Sequence, residues 1–188
     1  AHARIVSIDT SAAEVMEGVA GVITSADVPG EDGFGVFVND QPVMARDKVR
    51  YVGEAVAAVA AEDPLIAKRA LSSINVVYEP LPAVYDPDEA LRAGAPVLHD
   101  YAPDNVTKHI PIRVGDVDKG FAESDLVVEE TYSTQQIEHA YLEPEAGLAY
   151  VDHDGVVTIV SPDQNITHHR HMLARIIAKP ISKVRFIM

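Results

Sequence analysis

No cysteine occurs in the 188 residues. Disulfides, Cys-ligated zinc and a Cys-bound iron–sulfur cluster are therefore excluded within this chain, which fits a reducing cytoplasm. Long apolar runs are also missing: none approaches the roughly 18 residues of a membrane span. The opening Ala1-His2-Ala3-Arg4 lacks a basic stretch followed by an apolar one, so it does not read as a secretory signal. Positive charge is scarce. Lys and Arg number 15 against 29 Asp and Glu, a formal charge of −14, and the basic residues fall singly or in pairs such as Lys68-Arg69. Nucleic acid needs clustered cations and is excluded as a partner. The acidic balance itself reads as a solubility property. What is present is globular: 47% hydrophobic and 23% charged residues, in a chain long enough for one large domain or two small ones.

Residues 1–8 alternate as a strand, and Lys183 to Met188 read as another with no terminating turn, so the chain is expected to be a piece of a longer polypeptide. Ser11, with Glu14 three residues on, has capping-box spacing for a short helix to Met16. Strands are expected at Val19–Thr24, Lys48–Tyr51, Ala55–Ala61 and Ile74–Tyr78. Asp63-Pro64 opens a helix carried by Leu65 to Ser72. Residues 1–82 thus form an α+β unit, and 83–115, rich in Pro, Gly and Asp, a linker with one small helix near Asp88–Arg92. From Asp116 a second unit follows: a short helix (Asp118–Phe121), a strand over 125–133, strands at 146–152 and 156–161, and a helix capped by Asn165 or Thr167 that Pro180 stops.

Between the strands at 125–133 and 146–152 lies Gln135-Gln136-Ile137-Glu138-His139-Ala140-Tyr141-Leu142-Glu143-Pro144-Glu145. Hairpins close in about two to five residues, so a connection of roughly a dozen calls for a reason. Glu138, Glu143, Glu145 and His139 could form an acid–base or metal site. Alternatively, Glu138 and Glu143 satisfy buried backbone donors while His139 packs internally, and the residues alone favour that second reading. His168, His169 and His171 offer no i,i+4 pair for zinc; His168 and His171 could share a helix face. Gly30, Gly33 and Gly35 do not make a phosphate loop, and no Gly-x-Ser-x-Gly elbow supports a hydrolase triad. His99-Asp100 and Asp163-Gln164-Asn165 read as turns.

Four stretches, in order, resemble the molybdenum-binding large subunit of the xanthine dehydrogenase and aldehyde oxidase family. Ala1 to Thr10 with Gly18 to Thr24 is similar to the opening of that subunit's hammerhead domain. Asp47 to Val56 with Val76 to Pro82 is similar to its middle and end. Gly115-Asp116-Val117 and Glu138 to Glu145 resemble the entry into the molybdopterin-binding region, and Val160 to Asn165 its next element. The resemblance implies an α+β fold: a hammerhead-type mixed β-sheet with short helices over 1–82, a linker over 83–115, and over 116–188 the first strands and helix of a second α+β domain.

It also implies a molybdopterin-type molybdenum cofactor in the full-length protein, absent from this piece. The reaction implied is hydroxylation of a purine, another N-heterocycle or an aldehyde with oxygen from water, with electrons passing to iron–sulfur and flavin domains or subunits. The full enzyme is expected to be oligomeric and cytoplasmic. The family's glycine-rich loop would follow Met188 and its catalytic glutamate would lie well beyond, so this stretch is expected to be inactive alone and to hold no catalytic residue. Gln136, Ile137, Glu138 and His139 would form one edge of the molybdenum pocket. The family often places a Gln where this chain has Ile137, and Gln136 stands one place earlier. Because successive extended residues point to opposite faces, Gln136 would need a local bulge to substitute. Two other readings remain: a non-catalytic hammerhead-like interaction module of another assembly, and a His/Glu metal-binding protein.

Overall fold

A computed structural model describes residues 2–142 and 146–188. They fall into two units, 2–105 with 146–188 and 106–142.

In the first unit, strand β1 (Ala3–Asp9) lies between β3 (Lys48–Val49) and β5 (Asn75–Pro80), pairing antiparallel with both. A bulge between Ile5 and Ser7 shifts the β1–β5 register. His2 and Pro82 tie the ends of this sheet together. The buried His2 ring donates from Nδ1 to the Pro82 carbonyl at 2.7 Å, and Leu81 N–H donates to the His2 carbonyl at 3.0 Å. Ala3, Ala45 and Val49 form a small core, with Ile5 and Val56 packed against it. A second sheet pairs β2 (Val19–Thr24) antiparallel with β4 (Ala57–Ala61). Helix α2 (Pro64–Ser73) packs on both strands and on α1 (Ser11–Glu14), burying Ala70 and Ala13 completely. Asp63 caps α2 by accepting from Leu65 N–H at 2.7 Å and Ile66 N–H at 2.9 Å, with Pro64 in the first helical position. Helix α3 (Pro87–Ala90) repeats the device with Asp86.

The third sheet carries the mixed pairing. β6 (Leu148–Val151) runs antiparallel to β7 (Val157–Val160), which pairs parallel with β8 (Val184–Ile187). Parallel neighbours need a long crossover, here supplied by α5 (Ile166–Ile176) and a 3-10 turn at Ile181–Lys183. The β6–β7 turn closes on Asp152, whose carboxylate accepts from the N–H groups of Asp154 and Val156 at 2.9 Å each, with Gly155 at φ 72°.

The capping box sits elsewhere than the sequence suggests. At α1 the N-cap is Thr10, whose hydroxyl donates to the Glu14 carboxylate, while Asp9 accepts from the Ser11 N–H and hydroxyl. Asp9, not Ser11, anchors the turn because its carboxylate reaches both donors. A true box forms at Thr24–Asp27, at the end of the expected strand Val19–Thr24.

The second unit contains α4 (Val117–Ala122), capped by Asp116. Residues 125–133 form no strand ladder there, although their composition predicts one. β propensity expresses packing against a paired neighbour, and no described strand pairs with this segment. Residues 106–142 are exposed throughout, including Leu126 at 80% and Tyr132 at 88%.

Candidate functional site: the 133–142 connection

The stretch carrying the candidate residues has neither helix nor strand. Its one sharp feature is Ala140, at φ 48°, a conformation that L-residues other than Asn and Asp seldom adopt. The reversal brings the rings of His139 and Tyr141 into a stack, with centroids 5.3 Å apart and planes 28° from parallel. The Glu138 carboxylate sits at the far limit of a hydrogen bond from Ala140 N–H, at 3.5 Å. Gln135 and Gln136 have no hydrogen-bond partner among the described residues, and Ile137 is exposed. Glu143 and Glu145 lie outside the described residues. The structure thus keeps Gln136, Ile137, Glu138 and His139 adjacent along one exposed connection without folding them into a cavity. Four exposed side chains on one connection do not fit a bound pterin in this chain alone.

Nor do the histidines gather elsewhere. No group of three His, Asp or Glu among the described residues is placed to hold a metal ion. On α5, His169 Nδ1 meets Asp163 Oδ2 at 2.5 Å, His168 turns a buried Nε2 inward without a partner, and His171 is exposed.

Two polar clusters escape sequence inspection. Asp163, with its side chain only 4% exposed, accepts from Asn165 N–H at 2.5 Å and contacts His169. Burial pushes its carboxyl up, but the Asn165 and Gln164 N–H groups and His169 outweigh that, and the net shift is downward. The Asp-x-Asn spacing before a helix was the available signal. The second cluster joins segments far apart in sequence. Arg50 donates to the nearly buried Glu54 and to the Leu98 carbonyl, while His99 Nδ1 lies 2.7 Å from Asp40 Oδ2 without hydrogen-bond geometry. No local motif announces it.

Comparison with known proteins places these elements in a family. The aldehyde oxidase and xanthine dehydrogenase a/b hammerhead domain matches residues 1–82, and the molybdopterin cofactor-binding domain matches 98–188. The chain belongs to the xanthine dehydrogenase and aldehyde oxidase family. Among its relatives is the nicotinate dehydrogenase large molybdopterin subunit of Eubacterium barkeri, 40% identical over 99% of this chain and 43% of that protein. A probable xanthine dehydrogenase subunit of Bacillus subtilis is 45% identical over 99% of this chain and 25% of that one. The aldehyde oxidoreductase of Desulfovibrio gigas superposes with a TM-score of 0.88 at 30% identity, covering 98% of this chain and 21% of that structure. The chain therefore spans less than half the length of these relatives. Within the family, the hammerhead and cofactor-binding matches account for both sheets before α3 and for the β6–β8 sheet with α5.

Proposed function

We propose that this chain serves in a molybdenum hydroxylase, supplying the hammerhead domain (1–82), a linker (83–115) and the first part of the molybdopterin-binding domain (116–188). The reading rests on one observation: two family matches in the family's order, on a chain with 40–45% identity to two dehydrogenase subunits. The whole protein would convert a substrate C–H to C–OH with oxygen from water, passing two electrons to iron–sulfur and flavin domains or subunits. The nicotinate and xanthine dehydrogenase relatives, at 40% and 45% identity, are more similar in sequence than the aldehyde oxidoreductase at 30%, which favours a heterocycle over an aldehyde. Gln136, Ile137, Glu138 and His139 would be one edge of the molybdenum pocket, closed by residues elsewhere in the protein. Alone, the chain would have no turnover. Among the described residues no helix is long and apolar enough to cross a membrane, and a cytoplasmic site of action fits the absence of cysteine.

The test is metal analysis of the full-length protein together with oxidation assays on xanthine, nicotinate and benzaldehyde. Stoichiometric molybdenum and oxidation of a heterocycle are expected; absence of molybdenum with no substrate oxidised would refute the reading. For the Gln contact, a cofactor-loaded structure should place Gln136 within hydrogen-bond reach of the molybdenum centre through a backbone bulge. If Gln135 and Gln136 both lie beyond reach, Ile137 marks a subfamily without that contact.

A further inference from the structure

A cationic cleft lies outside the 133–142 connection, where α5 meets β8. It has a volume of about 390 Å³, and Thr167, Arg170, His171, Ser182, Arg185 and Phe186 are among its lining residues, with the almost fully buried Val184. No Asp or Glu lines it. In a chain with nearly two acids for every base, a cleft bearing two guanidiniums, an imidazole and two hydroxyls but no carboxylate is unexpected.

Arg170 is held in the wall of this cleft. It is half-buried, and its Nε and Nη2 donate to the carbonyls of Val184 at 2.6 Å and Ile181 at 2.7 Å. Those bonds fix the guanidinium without neutralising it, and no acidic side chain pairs with it among the described residues. A partly desolvated cation with neutral partners is stabilised by an incoming anion more than a solvated one would be. Because the fork is already held in place, little rotamer freedom is lost on binding. Arg185 adds a second charge whose only ion pair among the described residues is a loose one, 3.5 Å from Asp152.

The helix contributes too. Ile166 and Thr167 form the first turn of the eleven-residue α5 and border the cleft, while the Asn165 cap takes only the His168 N–H. The remaining first-turn N–H groups and the positive end of the helix dipole therefore favour negative charge there. Lack of carboxylates argues against a metal cation, and a single cleft on a strongly acidic chain argues against nucleic acid.

We propose that this cleft binds the oxyanion group of a small ligand, a phosphate or a carboxylate, with Arg170 and Arg185 as its cationic holders and the hydroxyls of Thr167 and Ser182 as further donors. The proposal is independent of the redox reading, since it invokes no cofactor. It is tested by isothermal titration calorimetry on the full-length protein in low-chloride buffer, with inorganic phosphate in one arm and benzoate in the other. Saturable binding of at least one, with a Kd near or below about 1 mM, is expected. Binding should weaken about tenfold or more in Arg185→Gln, an exposed position whose change leaves the fold intact, and should fall as salt is added. Arg170→Lys, which keeps the charge but loses the fork, should weaken it as well. Phosphate alone binding would identify a bare oxyanion site; benzoate alone would identify a carboxylate seated on the Phe186 side. No saturable binding in either arm, or binding unchanged in Arg185→Gln and Arg170→Lys, would overturn the proposal.

Discussion

Asp163 shows how one side chain can set the start of a helix and answer to pH. Its folded carboxyl titrates below its ordinary value of 3.8, since hydrogen bonds and His169 outweigh its burial. A depressed folded pKa adds stability that is present above the unfolded value and lost as pH falls through the folded one. Asp163→Asn should therefore lower Tm at neutral pH, and the deficit should shrink as both proteins are taken below about pH 4; a deficit constant from pH 7 to pH 3 would contradict the assignment. Gly30 makes a different demand. A Cβ there would stand 1.9 Å from the Arg175 carbonyl oxygen and 2.7 Å from that of Ile176. Next to it, Glu31 N–H caps the same Arg175 carbonyl at 3.1 Å, and the Glu31 carboxylate pairs with Arg175 at 3.3 Å. Gly30→Ala should cost about 1–3 kcal/mol in a urea titration, because the 30–31 loop must leave the end of α5. The sequence excludes Gly30 from a phosphate loop but is silent on this approach, since the neighbour it touches lies 145 positions away.

Elements whose start signals are local were the legible ones. Asp63-Pro64 marks α2, Asn165 marks α5, and the strands at 19–24, 57–61 and 148–151 fall within the expected stretches. Asp63→Ala should cost about 1 kcal/mol of stability through the two N–H groups it leaves bare, measurable by the same denaturation. Legibility failed where an element depends on a distant partner. Residues 125–133 have strand composition but no ladder, and the Arg50–Glu54 cluster draws in the Leu98 carbonyl, 48 positions from Arg50, while His99 meets Asp40 across a similar gap, links that no spacing rule announces. Hydrogen exchange on the 188-residue chain should separate the cases. Amides of 125–142 should exchange within seconds, and those of β1 and β5 should be protected by orders of magnitude; protection across 125–133 would mean that a partner strand exists. The candidate connection was legible as unusual and as family-like. Its lack of an enclosing cavity was not, because a cavity is built from elements brought together from afar.

At the scale of the whole molecule, the hammerhead and cofactor-binding matches divide the chain by ancestry, while its contacts divide it otherwise. The β6–β8 sheet belongs with residues 2–105, and 106–142 stands as its own unit. One contact between the two parts of the first unit is the Gly30–Arg175 approach, so the Gly30→Ala loss should also be felt in α5. The place of β1 has a further consequence, in time. Ile5 pairs with Tyr78 and Asp9 with Asn75, so this central strand is made about seventy residues before the partner that completes its sheet. At a synthesis rate of roughly 5–20 residues per second, β1 waits about four to fifteen seconds for β5. During that interval its backbone donors are open to any other extended segment nearby, and a ribosome stalled between β3 and β5 would hold the chain at the point where mispairing is easiest.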